Sequence, residues 1–118
     1  MKLQKLLPLG VALLLAVSCR QQDLREITLH VPDMHNEACV QIVMQQALGR
    51  VPGIQPRSIA LDPQQRIIRL TYDSLLSADK NFEYAISRAG FAVNDIPADE
   101  KARAALPPEA RKPEVKTP

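Results

Sequence analysis

The sequence predicts a small α+β domain in which two helices cover one face of an antiparallel sheet. Runs of alternating apolar and polar residues, typical of strands, are separated by stretches whose apolar residues recur at helical spacing. These elements follow one another in the order β-α-β-β-α-β within about 70 residues, which is the size of a split βαβ arrangement. The chain has 118 residues and leaves room for one such domain.

The first strand and the first helix meet at residues 33–40. Apolar and polar side chains alternate strictly over residues 26–31, which indicates a half-buried strand, and the proline that follows ends it. Asn36 is a good N-cap for the helix that comes next, and Pro52-Gly53 terminates that helix. The apolar stripe of the helix consists of Val40, Val43, Met44, Ala47, Leu48 and Val51.

A hairpin follows the first helix. Residues 58–61 and 68–72 alternate between apolar and polar side chains, and the turn between them, at 62–65, carries a proline that presets its backbone angle. Such alternation fits an antiparallel sheet that is covered by helices on one face and hydrated on the other.

A second helix and a short last strand complete the fold. Ser77 and Asp79 are both competent caps for the start of this helix, and Gly90 marks its end. Alternating apolar residues then predict a fourth strand within residues 91–96. The whole arrangement is the ferredoxin-like βαββαβ sandwich, with both helices on one face of the sheet.

The start of the chain predicts export and a lipid anchor. Two lysines are followed by an apolar run at residues 6–17, which is too short for a comfortable membrane span and reads as a signal peptide. Residues 15–19 resemble a bacterial lipobox, whose cleavage leaves the cysteine first and acylated, for example with palmitate. This resemblance implies a lipid on Cys19 and a membrane of the bacterial cell envelope, on the exported side. The alternative is an ordinary signal with a cysteine nearby by chance.

The chain therefore divides into four parts. We expect a signal peptide at residues 1–18, a tether at 19–25, the folded domain at 26–96 and a tail at 97–118. The tail is rich in proline and charge, so most of it is expected to be disordered. Within the tail, residues 98–106 fit a helix on the surface.

Charge and cysteine content limit the classes of function that fit this chain. Removal of the signal peptide takes two lysines from the 15 basic residues and leaves 13 against 13 acidic ones, which gives no support to nucleic-acid binding. If Cys19 carries lipid, Cys39 is the one cysteine left with a free thiol. A lone cysteine in an exported protein is a free thiol, a metal ligand or a partner in an intermolecular disulfide.

Four blocks of the sequence carry a family resemblance. They are Val-Pro-Asp-Met-His-Asn-Glu-Ala-Cys-Val at residues 31–40, Val-Pro-Gly-Ile at 51–54, Leu-Thr-Tyr-Asp at 70–73 and Ile-Ser-Arg-Ala-Gly-Phe at 86–91. Together they resemble the heavy-metal-associated (HMA) domain of copper chaperones, metal-pumping ATPases and mercury-binding proteins. The resemblance covers residues 26–93 and implies the same fold. The first block looks like the family's binding loop, usually Gly-Met-x-Cys-x-x-Cys.

The departures from the family pattern fall on this loop. Asn36 stands where the family has its first metal-binding cysteine, and Asp33 replaces the usual glycine. Counting forward from the loop assigns Cys39 to the second cysteine, whereas counting back from Pro52-Gly53 gives Val40. We follow the local match, which selects Cys39, and expect the helix region to be one residue longer than usual.

Cys39 and His35 are the predicted metal ligands. A thiolate is the soft donor that selects Cu(I), and a histidine four residues earlier can complete a two-coordinate site. Zn(II), with Glu37 and water added, and Hg(II) are less favoured. Asn36 offers no good ligand to a soft ion, and the resemblance implies that Met34 packs beneath the loop and supports it. The alternatives are an inert, buried Cys39 with no metal bound and a solvated His35.

These observations favour a membrane-tethered HMA-like domain that binds or hands over a soft metal ion, Cu(I) first of all. The expected partners are the membrane, through lipid on Cys19, and a metal-exchange protein or a second copy of the chain. Two alternatives stay open: an interaction module that keeps the fold without the metal, and a thiol-redox protein that uses Cys39. No enzyme activity is expected, because His35 is the one base near Cys39 and no third group orients it.

Overall fold

The structure of the chain is a computed structural model that describes residues 21–111. The predicted signal peptide, Cys19 and residues 112–118 lie outside this range. Among residues 21–111, no helix has the length and apolar character needed to cross a membrane. The described elements are strands β1 (Leu24–His30), β2 (Ala60–Asp62) and β3 (Ile67–Asp73), helices α1 (Glu37–Gln41), α2 (Asp79–Arg88) and α3 (Glu100–Ala104), a π-helical segment (Ile42–Ala47), and two 3-10 turns (Leu48–Arg50 and Pro108–Ala110).

The sheet is antiparallel in the order β1-β3-β2, and the whole of β1 pairs with β3. In this register Ile27 lies opposite Leu70, and Leu29 lies opposite Ile68, so the apolar side chains of both strands share one face. These four side chains are buried, while the β1 residues between them are exposed. The predicted α+β fold, with helices packed on a single antiparallel sheet, is confirmed.

The predicted hairpin joins β2 to β3, and β2 is a short edge strand. Asp62 closes the turn, because its carboxylate accepts the backbone N–H groups of Gln64 and Gln65 at 3.2 and 3.1 Å. The side chains of Ile59 and Leu61 are exposed at this edge, so β2 contributes little to the core.

The predicted fourth strand does not form a regular strand. The chain makes one rung beside β1, where the Asn94 side chain accepts the His30 N–H and the Asn94 N–H donates to the His30 carbonyl, each at 2.9 Å. Asn94 has a φ of 50°, in the left-handed region, and an isolated bridge turns the chain back on itself there. This tight turn ends the pairing, although Phe91 and Val93 still fill the core.

The first helix changes type part-way along. After α1 the backbone follows a π-helical path over Ile42–Ala47, whose hydrogen bonds reach one residue further than those of an α-helix. A π segment accommodates an extra residue without turning the later side chains away from the core. Val43, Ala47 and Leu48 are accordingly buried. The extra residue that the sequence indicates is therefore taken up after Cys39, not before it.

The start of α2 is capped by a residue other than those predicted. The N-cap is Ala78, and the Asn81 side chain reaches back to accept its N–H at 2.7 Å. The Ser77 hydroxyl instead donates to the backbone of the loop after the first helix, at 2.7 Å. The Asp79 carboxylate accepts the hydroxyl of Tyr72. Both expected caps are thus used to join the start of α2 to its neighbours.

Residues 97–111 are folded against the domain, which corrects the expectation that most of the tail is disordered. α3 lies so close to Gly90, whose φ is +105°, that a β-carbon there would come within 3.0 Å of the Ala102 backbone. Beyond α3, Leu106 and Ala110 are 8% and 2% exposed and belong to the core. The burial of these two side chains is the physical reason that the tail is held.

Candidate metal site

The loop between β1 and α1 is fixed by backbone hydrogen bonds. The Val31 N–H donates to the Arg66 carbonyl at 2.9 Å, and the Met34 N–H donates to the Val31 carbonyl at 3.1 Å. The Arg66 guanidinium also donates to the Pro32 carbonyl. The side chain of Met34 is buried in the hydrophobic core. The loop is therefore a defined structure and not a loose connection.

Asn36 caps α1 and links it to the end of the chain. Its Oδ1 accepts the Cys39 N–H at 3.0 Å, from an extended backbone conformation. Its amide nitrogen donates to the Glu109 carbonyl at 2.6 Å and faces Nε2 of His35 at 3.3 Å. Both ends of this side chain are therefore engaged in holding the loop, the helix and the tail together.

The structure brings Cys39 and His35 together. Sγ of Cys39 lies 3.6 Å from Nδ1 of His35. His35 is partly exposed at the surface of the loop, whereas Cys39 is 0% exposed. A spacing of four residues across the loop–helix junction is what places the imidazole beside the thiol.

A segment near the end of the chain covers this pair. We refer to residues 106–110 as the C-terminal strap. The Cys39 thiol donates to the carbonyl of Ala110 at 3.3 Å. The hydrogen bond from Asn36 to Glu109 lies beside it. The candidate thiol ligand is therefore closed off from solvent by the strap.

Residues of the strap were not predicted as part of the site. Arg111 shapes the strap, because its guanidinium donates to the carbonyl groups of Leu106 and Ala104 at 2.9 and 3.2 Å. The contacts with the loop come from backbone carbonyl groups, which every residue type possesses. The one signal in the sequence that could have revealed the strap is Leu106, an isolated large apolar residue in a polar tail.

The hydrogen bonds assign the protons of the covered pair. Nδ1 of His35 lies 3.0 Å from the Asp33 carbonyl oxygen, which can only accept, so Nδ1 carries the proton. Nε2 then accepts from the Asn36 amide. The thiol proton of Cys39 is directed at Ala110. Sγ of Cys39 and Nδ1 of His35, the two atoms that would bind an ion, therefore both carry a proton in this arrangement. An ion can bind between them only after their hydrogen bonds to Ala110 and Asp33 open.

The spacing of the sulfur and the nitrogen fits a shared ion. With bonds of about 2.3 Å to sulfur and about 2.0 Å to nitrogen, the two donors lie about 3.5 Å apart around a tetrahedral ion and about 4.3 Å apart around a linear one. The observed 3.6 Å is close to the first value. A linear ion requires the His35 ring to withdraw by less than about 1 Å.

The described part of the chain offers two ligands and no more at this place. Among residues 21–111, no group of three histidine, cysteine or acidic side chains is arranged to hold a metal ion. A closed set of four ligands is therefore not available from these residues.

Comparisons with known proteins identify the fold. Neither a scan against protein-family models nor a search of the curated proteins found a match. Among solved structures, oxidised MerP from Ralstonia metallidurans CH34 aligns with a TM-score of 0.54 and 24% identity, over 61% of this chain and 96% of that one. A copper-binding domain from HMA7, a P-type ATPase, aligns with a TM-score of 0.52 and 28% identity, over 64% of this chain and 97% of that one. The chain has an HMA-like fold.

A third solved structure also aligns with the chain. The mercury-bound form of MerP, described as the periplasmic protein of the bacterial mercury detoxification system, aligns with a TM-score of 0.48 and 25% identity. The alignment covers 62% of this chain and 100% of that one.

Proposed function

We propose that this chain binds a soft metal ion between Cys39 and His35, and that Cu(I) is the preferred ion. The observation that carries the proposal is the 3.6 Å separation of Sγ and Nδ1 at the strand–helix junction of an HMA-like fold. The copper-binding domain of HMA7, 28% identical to this chain, supports the choice of copper. A thiolate is a soft donor that favours Cu(I), and imidazole is a suitable second ligand for copper.

Loading of the site requires the C-terminal strap to move. The Cys39 proton is directed at Ala110, and the Nδ1 proton of His35 is directed at Asp33. An ion that replaces both protons leaves a thiolate and moves the imidazole proton to Nε2, where it faces the amide of Asn36. Metal binding therefore removes the hydrogen bond between Cys39 and the strap.

A site of two donors suits transfer of the ion. Closed sites of four protein ligands are structural, whereas sites with fewer protein ligands keep positions for other groups. An open position at the ion lets a thiolate of a metal-exchange partner, or of a second copy of this chain, join before the first ligands leave. The proposed task is therefore delivery of the ion and not storage.

We place the chain in the bacterial cell envelope, held by lipid on Cys19. The support is the lipobox-like sequence of residues 15–19. Mass spectrometry of the mature protein tests this part, because acylation adds the mass of fatty acids to the peptide that begins with Cys19. A Cys19→Ala chain, which cannot be acylated, is the control.

Competition for Cu(I) tests the metal site. The mature chain is titrated with Cu(I) under reducing conditions in the presence of a chelator that reports the free ion. We expect Cys39→Ser to abolish retention and His35→Ala to weaken it at least about tenfold, which corresponds to about 1.4 kcal/mol. His30→Ala is the matched control, because His30 is the other histidine and is exposed on β1. Retention by Cys39→Ser, or equal losses in the two histidine variants, would show the proposal to be wrong.

The complete burial of Cys39 supports a second candidate function. In this case the chain is an interaction module that binds no metal, and the thiol serves to fasten the strap through Ala110. Cys39→Ser then behaves as the wild type, since a hydroxyl can also donate to that carbonyl, while Cys39→Ala lowers the stability. A thiol-redox function is not favoured by the same burial, because oxidation requires an accessible thiolate.

A further inference from the structure

Exposed leucines form an apolar tip at one end of the domain. In the described part of the chain, Leu75 and Leu76 are the most exposed large apolar side chains, at 62% and 61%, and Leu24 is 49% exposed. Leu24 pairs with Asp73 across β1 and β3, two residues before Leu75. The three leucines therefore belong to adjoining segments, and we refer to them as the leucine tip.

The leucine tip is an ordered structure. The Asp73 carboxylate accepts the Leu75 N–H at 3.0 Å, and the Asp73 carbonyl accepts the Leu76 N–H at 3.0 Å. The Ser74 N–H donates to the Asp23 carbonyl at 2.7 Å, which fastens this loop to the start of β1. Because these N–H groups are already paired, transfer of the tip to an apolar medium does not leave them without partners.

We refer to residues 31–36, the loop between β1 and α1, as the metal loop. It lies at the opposite end of the domain from the leucine tip. β1 runs from Leu24 to His30, and six steps of about 3.3 Å separate its ends by about 20 Å. The helical residues 37–50 lead back to the tip, where a β-carbon at Gly53 would lie 3.1 Å from Cβ of Leu76. The leucine tip and the candidate metal site therefore lie at opposite ends of the domain.

The predicted lipid attaches close to the leucine tip. Cys19 precedes Leu24 by five residues, and five extended residues span at most about 18 Å. Lipid on Cys19 therefore holds the tip at a high effective concentration near the bilayer, so that even a weak affinity for lipid is sufficient.

Charged side chains of both signs lie around the tip. Asp23 pairs with Arg25 at 3.1 Å, and Lys80 on the first turn of α2 pairs with Glu83 at 3.5 Å. Arg50 and Arg88 line the same cavity as Leu76, so two further cationic side chains lie beside the tip. The tip itself is apolar and therefore suits a zwitterionic bilayer as well as an anionic one.

We propose that the leucine tip inserts into the surface of the lipid bilayer that holds Cys19, and that this contact turns the metal loop away from the membrane. The proposal rests on the lipid anchor of the proposed function and is independent of metal binding. In this proposal the lipid anchor also orients the domain, so that the candidate metal site faces a soluble exchange partner.

Proximity to lipid can be measured residue by residue. The acylated mature chain is inserted into phosphatidylcholine nanodiscs that contain a small fraction of a gadolinium-chelating lipid, and its amide NMR signals are compared with and without gadolinium. We expect the signals of the leucine tip to be lost and those of residues 33–39 to be retained. The same pattern is expected at high salt, since the contact is apolar.

Two pairs of substitutions make the test specific. Leu75→Ser with Leu76→Ser removes the selective loss of signal, whereas Ile59→Ser with Leu61→Ser, just before and within the exposed edge strand β2, preserves it. Uniform loss over the domain, loss strongest at the metal loop, or an unchanged pattern in the Leu75–Leu76 variant overturns the proposal. So does a mature chain without fatty acid on Cys19. Cu(I) retention measured on the same samples keeps this outcome separate from that of the metal site.

Discussion

The thiol of Cys39 donates a hydrogen bond to the backbone carbonyl of Ala110, 71 residues further along the chain, across 3.3 Å. A second hydrogen bond, from Asn36 to Glu109 at 2.6 Å, runs beside it. The candidate metal ligand and the helix cap thus both hold the C-terminal strap. Access to Cys39 depends on whether the strap is in place.

Removal of the strap is expected to expose Cys39. A chain that ends at Ala105 lacks Leu106 and everything after it. We expect its thiol to react with Ellman's reagent at least about tenfold faster than in the full chain, which corresponds to about 1.4 kcal/mol of lost protection. The release of the coloured thiolate measures the rate. A chain that ends at Arg111 is the matched control, because it keeps every contact of the strap described above; equal rates in both shortened chains would mean that the strap does not protect the thiol.

The two roles of Asn36 can be separated by substitution. Serine at this position still caps a helix but is too short to reach Glu109, so we expect Asn36→Ser to retain most of the stability and to label faster at Cys39. Asn36→Ala loses the cap as well and should lower the free energy of unfolding by about a further 1 kcal/mol. Urea unfolding measures the stability, and Ellman's reagent measures the access. Labelling of the serine variant at the wild-type rate would show that Asn36 does not hold the strap.

Alternation in the sequence predicted β1 and β3 well and the fourth strand poorly. In β1 and β3 the alternating side chains are buried and the backbones are paired along their length. Phe91 and Val93 alternate in the same way and are buried as well. Their burial, however, needs no partner strand, and Asn94 turns the chain after one rung. The pattern reports which side chains are buried, and it does not report whether the backbone is paired.

The π-helical segment indicates where the chain tolerates a deletion. Gln45 is exposed within Ile42–Ala47. Its removal leaves a regular α-helix in which Val43, Ala47 and Leu48 follow the cysteine at positions i+4, i+7 and i+8, the spacing of a core-facing stripe. We expect the free energy of unfolding to stay within about 1 kcal/mol of the wild type. Thermal unfolding followed by circular dichroism provides the measurement.

A deletion in a regular helix is the matched control for Gln45. Tyr84 is half-exposed in α2, and its removal turns the following residues by about 100° around the helix. Ile86 then leaves the core, which should cost at least about 2 kcal/mol. Equal losses for the two deletions would mean that the π segment does not contain the extra residue.

Tyr72 and Asp79 link the stability of the fold to alkaline pH. The hydrogen bond to the Asp79 carboxylate, together with burial, raises the pKa of Tyr72 above its ordinary value of 10.0. The unfolded chain releases this proton first, so the free energy of unfolding falls as the pH rises above about 10 and is fully retained below it. Tyr72→Phe should be less stable by about 1–2 kcal/mol near neutral pH. It should also lose less stability than the wild type in alkali. Parallel pH profiles in urea unfolding would contradict this assignment.

The sequence predicted that Cys39 and His35 lie close together, but it did not predict that the C-terminal strap covers them. Cys39 and His35 are four residues apart, and the local geometry of a loop that enters a helix is enough to bring them together. The cover depends on contacts between distant parts of the chain, made through the carbonyl groups of Glu109 and Ala110. Every residue type has a backbone carbonyl group, so a contact made through such a group cannot be predicted from the sequence.

The apparent affinity for metal depends on the fraction of chains in which the strap is open. If only chains with an open strap bind, the apparent Kd is the Kd of the open form divided by the open fraction, and each 1.4 kcal/mol or so of closure weakens binding about tenfold. Substitutions that loosen Leu106 or Ala110 should then tighten metal binding and weaken the fold together. A partner that displaces the strap would raise the affinity without supplying a ligand, and its departure would expel the ion.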